Sequence, residues 1–331
     1  MWVSPPVRPR PQPFGDSDEL AVRSDVGEAL AAGRPVVALE STLVTHGLPR
    51  PRNLDVARAA EHAVLAAGAV PATVAVHDGC LIVGLTDGEL GELADAGAGK
   101  ASRHNLAAAL VASGWWGTTV SATMIAAHAA GIRVFATGGI GGVHRGAERS
   151  LDVSADLLEL ARTLVAVVCS GPKAILDAAG TIQYLETHGV PVIGFGTAEL
   201  PGFWSRSSGV AVPITARDER EAAEIVARHW SLGLGSGAVI AVPVPEADAL
   251  DPDESEAAVG QALAEAERAE AGPAARMGPA ATPWLLARVA ELTEGRSLAA
   301  NAALIVHNAG VAARLAIALA ELSPPTGKGD R

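Results

Sequence analysis

The 331-residue sequence predicts an α/β fold, with a central sheet that is mostly parallel, mixed at one point and covered by helices on both faces. Three observations predict it. Short apolar, β-branched runs alternate with Ala/Leu-rich stretches of helical period, the rhythm of strands linked by crossover helices. Asp78-Gly79 joins two strand-like runs as a two-residue hairpin would, which introduces an antiparallel pair. After Pro243-Val244-Pro245 the strand-like runs cease and only helical patterns follow.

Taken in order, the opening MWVSPPVRPRPQPFG is rich in proline and arginine and has no apolar period, so residues 1–22 are expected to form a disordered tail. It also lacks the apolar core of a signal peptide. Strands are expected at 36–39, 73–77, 80–84, 134–136, 165–169, 190–193, 210–214 and 239–242. Helices are expected at 54–66, 87–95, 103–112, 119–130, 155–163, 172–187 and 218–230. The segment 105–132 has no Asp, Glu, Lys or Arg and is long enough to span a bilayer. Its glycines, hydroxyls and His128 read instead as two buried Ala-rich helices with a glycine turn between them. Beyond Pro245 an acidic helix covers 254–270, Thr282-Pro283 opens another, and Ser297 caps a last helix that ends near Leu322. No linker divides 23–322, which is expected to be one domain, followed by a flexible end at 323–331.

A net charge of −12 disfavours nucleic acid and anionic membrane surfaces as partners, so an anionic small molecule would have to be held by local donors. The two cysteines, Cys80 and Cys169, form no disulfide framework, and a reducing cytoplasm is the expected setting.

Of the 25 basic residues only Lys100, Lys173 and Lys328 are lysines, so an amine at a given position asks for a reason. Lys173, in VVCSGPKAILD, follows an expected strand and falls in the first turn of a helix opened by Pro172. Open α/β sheets place their sites at the carboxyl ends of such strands. A helix N-terminus and apolar surroundings both favour the uncharged amine, a nucleophile for carbonyl carbon that guanidinium cannot replace. A lysine reaching solvent is the plain alternative. Glu40 ends the run Pro35-Val-Val-Ala-Leu-Glu, where an apolar strand end would raise a carboxyl's pKa and suit it to donate a proton; a loop cap is the alternative.

The run ATGGIGGVHRGAERSLDVSADL is not a dinucleotide fingerprint, because His144 stands where the third glycine belongs. Its glycines are expected to bring backbone amides close to an anion. Asp152, Ser154 and Asp156 precede a helix; one of them would suffice as its N-cap, and the two carboxylates suit a hard divalent ion such as Mg²⁺ or Mn²⁺. Lys100, in AGAGKASRHNL, fails the P-loop pattern at Ala94 and Ala101 and reads as a point-charge phosphate ligand.

These residues carry a resemblance. VALESTLVTHGLPRP, GTTVSATM, FATGGIGGVHRGAE, DVSADL, GPKAILD, YLETHGVPV, TPWLLARVAELT and SLAANAALIVHNA, spread over residues 34–320, resemble the pseudouridine-5′-phosphate glycosidases, the indigoidine-synthase-A-like family. That family reversibly cleaves the C–C glycosidic bond of pseudouridine 5′-phosphate to uracil and ribose 5-phosphate. The resemblance implies an α/β/α sandwich and a homotrimer, with 23–322 as a single glycosidase domain. It implies that Lys173 is the nucleophile toward C1′ and Glu40 the proton donor, that Asp152 binds a divalent metal, Mn²⁺ by preference, and that Lys100, Val120, Ser154, Ala155 and Asp156 contact substrate. The chain departs from the family pattern at Pro172, His104-Asn105, Val242, the PGFW of 201–204 and the proline/alanine stretch 271–281. Two other readings stay open: a different Schiff-base lyase or aldolase on a phosphosugar, and a non-catalytic sugar-phosphate binder.

Overall fold

The computed structural model describes residues 14, 19–268 and 281–322. In chain order the strands among them are β1 (Leu20–Val22), β2 (Val36–Leu39), β3 (Val70–His77), β4 (Cys80–Val83), β5 (Gly99–Ala101), β6 (Trp115–Thr118), β7 (Val134–Ala136), β8 (Val143–His144), β9 (Ala166–Cys169), β10 (Leu176–Asp177), β11 (Val192–Phe195), β12 (Ile214–Ala216) and β13 (Ala238–Ala241). Eleven of them form one sheet in the order β1-β4-β3-β2-β7-β9-β13-β11-β12, with β6 on β3 and β5 on β6. From β3 through β12 the order runs parallel, whereas β3 pairs antiparallel with both β4 and β6. The small pair β8–β10 stands apart.

All four side chains of β2 are buried, as a parallel strand covered on both faces requires. Val37 and Leu39 join one apolar layer with Val134, Val168 and Ile240, and the helices Arg52–Ala66, Glu219–Ser231 and Arg296–Leu322 cover it. Val36 and Ala38 face the other way, into a layer with Phe135, Val167 and Val239 covered by Ser24–Ala31, Val120–Ala130, Ala155–Leu160 and Ala178–Thr187. The period of two along each strand thus builds the expected three layers. Arg296–Leu322 is long and apolar enough to cross a membrane by length and composition, but it packs against two helices and the sheet and buries Leu304, Asn308 and Leu315.

The hairpin forms as expected, with Asp78 at φ 44° and Gly79 at φ 85°, the left-handed pair such a turn demands. Four expectations are corrected. Leu20–Val22 are not tail but an edge strand parallel to β4; three residues leave no periodic trace. The glycine turn inside 105–132 is the strand β6, where Gly117 pairs with Ala75. The strand expected at 210–214 begins at Ile214, after Pro213, which has no N–H to give the ladder. The helix expected at 172–187 begins at Ala178, with the Asp177 carboxylate accepting from Gly180 N at 2.8 Å. The segments read as tails fall, except for Phe14 and residues 19–22, outside the described residues, as does 271–280.

Candidate active site

Three adjacent parallel strands end side by side. Leu39 of β2 pairs with Ala136 of β7, and Ala136 with Val168 of β9, so the residues that follow, Glu40, Thr137 and Ser170, leave the same edge of the sheet. Glu40 is 7% exposed, and its carboxylate accepts a short hydrogen bond from the Thr137 hydroxyl. Burial raises its pKa, opposed by the charge of Lys173 and the bond from Thr137. The direction of this shift is the one expected from the sequence for a carboxyl at an apolar strand end.

Lys173 lies four residues past β9, in a loop rather than a helix. Its amide donates to Ile140 O at 3.1 Å, and its carbonyl accepts from Leu176 N at 2.9 Å. With the helix starting at Ala178, the dipole argument made for a helical Lys173 does not apply. What places the amine is the pairing of Pro172 with Ile140 across the glycine loop. Lys100 arrives from β5, opposite Gly117 of β6, and burial followed by the charge of Lys173 lowers its pKa. Glu40, Lys100 and Lys173 line one cavity together with Thr42, His46 and Asn301. Lys173 also lines a broader open cleft of about 690 Å³ beside Arg145, Asp177 and Ser208.

Part of the glycine run is bonded within the protein. Gly141 N donates to Asp156 Oδ2 at 2.9 Å, Val143 N to the Thr181 hydroxyl at 3.0 Å, and Ile140 N to Gly171 O at 3.1 Å, so these amides are already engaged. The missing side chains also make room. A Cβ on Gly139 would sit 2.6 Å from the Phe203 ring, and one on Gly141 would strike Ser154 and Asp156. Phe203 itself, 2% exposed, adopts a left-handed backbone at φ 68° to put its ring in the cavity wall.

Val120 opens the helix Val120–Ala130, whose first amides have no intrahelical acceptor. Asp156, 6% exposed, satisfies one of them, accepting from Ser121 N at 2.9 Å while holding Gly141. Its two oxygens thus tie the helix start to the glycine loop. Ser154 is the N-cap of Ala155–Leu160, its hydroxyl accepting from Asp156 N at 3.3 Å. Asp152 is partly exposed, with one carboxylate oxygen 3.8 Å from His144 Nδ1. Among the described residues no group of three or more His, Cys, Asp or Glu side chains is placed to hold a metal. One carboxylate fits a hard ion carried mainly by water and ligand oxygens, as Mg²⁺-type sites are, and not an all-protein cage.

Sequence reasoning missed Thr137 and Asn308. Thr137 follows β7 as Glu40 follows β2, a signal that was there to use. Asn308 is fully buried on the long helix, donates to Thr137 O at 2.9 Å and shares its amide with the Ser170 hydroxyl at 3.1 Å, which holds two strand ends in place. Cys169, at the end of β9, is fully buried with its thiol pushed up to about 12, an inert position.

Residues 25–318 match the family model described as indigoidine synthase A like protein. The pseudouridine-5′-phosphate glycosidase of Sorangium cellulosum is 52% identical over 307 residues, 92% of this chain and 95% of that protein. The protein of the same name from Solibacter usitatus is 53% identical over 298 residues, 90% of this chain and 98% of its own. Among solved structures, the prealnumycin C-glycosynthase AlnA in complex with ribulose 5-phosphate superposes with a TM-score of 0.84 at 38% identity, over 92% of this chain and 98% of its own. An indigoidine synthase A-like protein from Thermotoga maritima superposes with a TM-score of 0.81 at 33% identity, over 91% and 96%.

Proposed function

The chain belongs to the indigoidine synthase A-like family, and from that premise we propose that it is a pseudouridine-5′-phosphate glycosidase, cleaving the C–C glycosidic bond to give uracil and ribose 5-phosphate. The observation that carries the reading is the convergence of a buried acid, Glu40, and the two amines Lys100 and Lys173 in one cavity at the carboxyl edge of the sheet.

A C-glycoside offers no leaving heteroatom, so paired-carboxylate hydrolysis has nothing to protonate at the scissile bond. Glu40 instead gives its proton to the ring oxygen as the C1′–O bond opens, and the Lys173 nitrogen bonds to C1′. The bonded nitrogen gives up a proton, its lone pair then expels the base, whose ring carbon takes up a proton in turn so that none is gained or lost, and an imine remains at C1′. Water adds to the imine and frees ribose 5-phosphate and the amine. Arginine at 173 could supply charge but not this carbon–nitrogen bond. Lys100 is the charge for the phosphate, joined by the Val120 amide and the Ser154-Ala155-Asp156 turn. Asp156 contributes by holding that turn against the helix start and the glycine loop, to which its two carboxylate oxygens are bonded.

Asp152 is the proposed ligand of a divalent ion, manganese by the motif match, which would supply positive charge beside the anionic substrate. The same match supports a cytoplasmic homotrimer, and light scattering of the purified chain tests the trimer. The enzymatic reading is tested by borohydride reduction with ribose 5-phosphate, followed by peptide mass analysis, alongside an assay for uracil release. An adduct on Lys173 with uracil released from pseudouridine 5′-phosphate is expected. An adduct without a nucleobase product would point to another Schiff-base lyase or aldolase; no adduct, or one on Lys100, would leave a sugar-phosphate binder.

A further inference from the structure

Ser41 and Thr42 are neighbours in the chain and opposites in bonding. The Ser41 hydroxyl donates to Val74 O at 2.5 Å and accepts from Thr118 N at 3.0 Å, so it is spent on locking the loop after β2 to β3 and β6. The Thr42 hydroxyl has no hydrogen-bond partner among the described residues and almost no accessible surface, in a residue only 8% exposed. A buried hydroxyl without a partner is a net cost to folding that a methyl group would avoid. Thr42 lines the cavity that Glu40, Lys100 and Lys173 share.

The backbone holds the residue there. Thr42 leads directly into a π-helical turn, Leu43–Gly47, a rare form that gathers at functional sites. Gly117 of β6 fits flush under this turn, since a Cβ there would stand 3.1 Å from Ser41 O and strike Thr45. Ser41 and Gly117 therefore fix where Thr42 sits, and no described residue uses the hydroxyl it carries.

We propose that Thr42 is a substrate-binding residue whose hydroxyl finds its partner in a sugar hydroxyl of bound ribose 5-phosphate, and of the same sugar in the nucleotide. A ribose phosphate is rich in hydroxyls and is the ligand class the cavity's two amines admit. The inference rests on the proposed function for its ligand but not for its measurement.

Calorimetric titration with ribose 5-phosphate on the wild type, Thr42→Val and Thr42→Ser tests it, with melting temperatures measured in parallel. Thr42→Val should weaken the dissociation constant on the order of tenfold while melting at the same or a higher temperature, since it removes an orphaned polar atom. Thr42→Ser should stay within about twofold of the wild type, because it keeps the hydroxyl. An unchanged dissociation constant in Thr42→Val overturns the proposal, and so does a serine variant as weak as the valine one. If the wild type binds ribose 5-phosphate but releases no uracil, the glycosidase reading fails while these comparisons still decide Thr42. If it does not bind the sugar phosphate, both fail.

Discussion

At their carboxyl ends β2, β7 and β9 run into Glu40, Thr137 and Ser170, all buried and polar, whereas the amino ends of β2 and β7 meet Pro35 and Arg133. At that lower end the Arg133 guanidinium lies 4.2 Å above the Trp230 ring, beside a groove of about 550 Å³ lined by Ile132, Val134 and Leu319. The same strands thus carry desolvated polar groups at one end and a cation–aromatic contact beside a largely apolar groove at the other. A buried acid raised by desolvation, and two amines and a hydroxyl that find no ion-pair or hydrogen-bond partner for their side chains among the described residues, all cost folding energy. They are tolerable at one edge because the rest of the sheet is covered on both faces. Function and stability should therefore respond separately to changes at the two ends.

The sharpest separation is expected at Lys173. Lys173→Arg should lower uracil release on the order of 10⁴-fold and abolish the borohydride adduct with little change in melting temperature. Comparable losses of activity and stability would break the comparison. Glu40→Gln should lower kcat by about 10²–10³-fold yet gain stability. Because burial holds the Glu40 carboxyl above the ordinary carboxylate range, the folded state grips its proton more tightly than the unfolded chain. The stability this supplies is complete below the ordinary carboxylate range and is lost as pH rises through the raised value. The glutamine variant, which cannot ionise, should melt higher than the wild type above that window and converge with it toward acid, as a pH series of thermal melts would show. Chelation and Asp152→Ala should each lower turnover on the order of 10-fold or more, and unchanged rates in both would retire the metal. Asn308→Leu crosses the divide. Stripping the partner from Thr137 O should cost about 1–3 kcal/mol in denaturant unfolding and also loosen the acid. The smallest effect belongs to the lower end, where Arg133→Ala should cost about 1 kcal/mol and leave kcat untouched.

Much of this division was legible in the sequence, and for a physical reason. Runs such as VVALE and AVVC are apolar because both faces of their strands are covered, so they announce themselves, and the residue that breaks each run marks the edge where chemistry can sit. That logic singled out Glu40 and Lys173, although it set Lys173 in the first turn of a helix. It failed where placement depends on long-range pairing. Pro172 reads locally as a helix opener, but the bridge from Pro172 to Ile140 and the pair β8–β10 keep the segment out of a helix until Ala178. Pairs of two or three residues leave no period to detect, which also hid β1 and β5. The glycine run was recognisable as special, yet its purpose depended on what lies across from it, Phe203, Ser154 and Thr181, side chains that come to it from elsewhere in the chain. Asn308 carried no local signal of its role, which needed the positions of two strand ends.

The fit of Phe203 against Gly139 sets terms for any attempt to widen what this cavity admits. Residue 139 cannot gain even a methyl group while the ring stands there, and the ring cannot simply retreat, because its own backbone is held in a conformation few side chains adopt. Remodelling this wall is consequently a two-position problem, in which each single step passes through a worse protein than the one it started from.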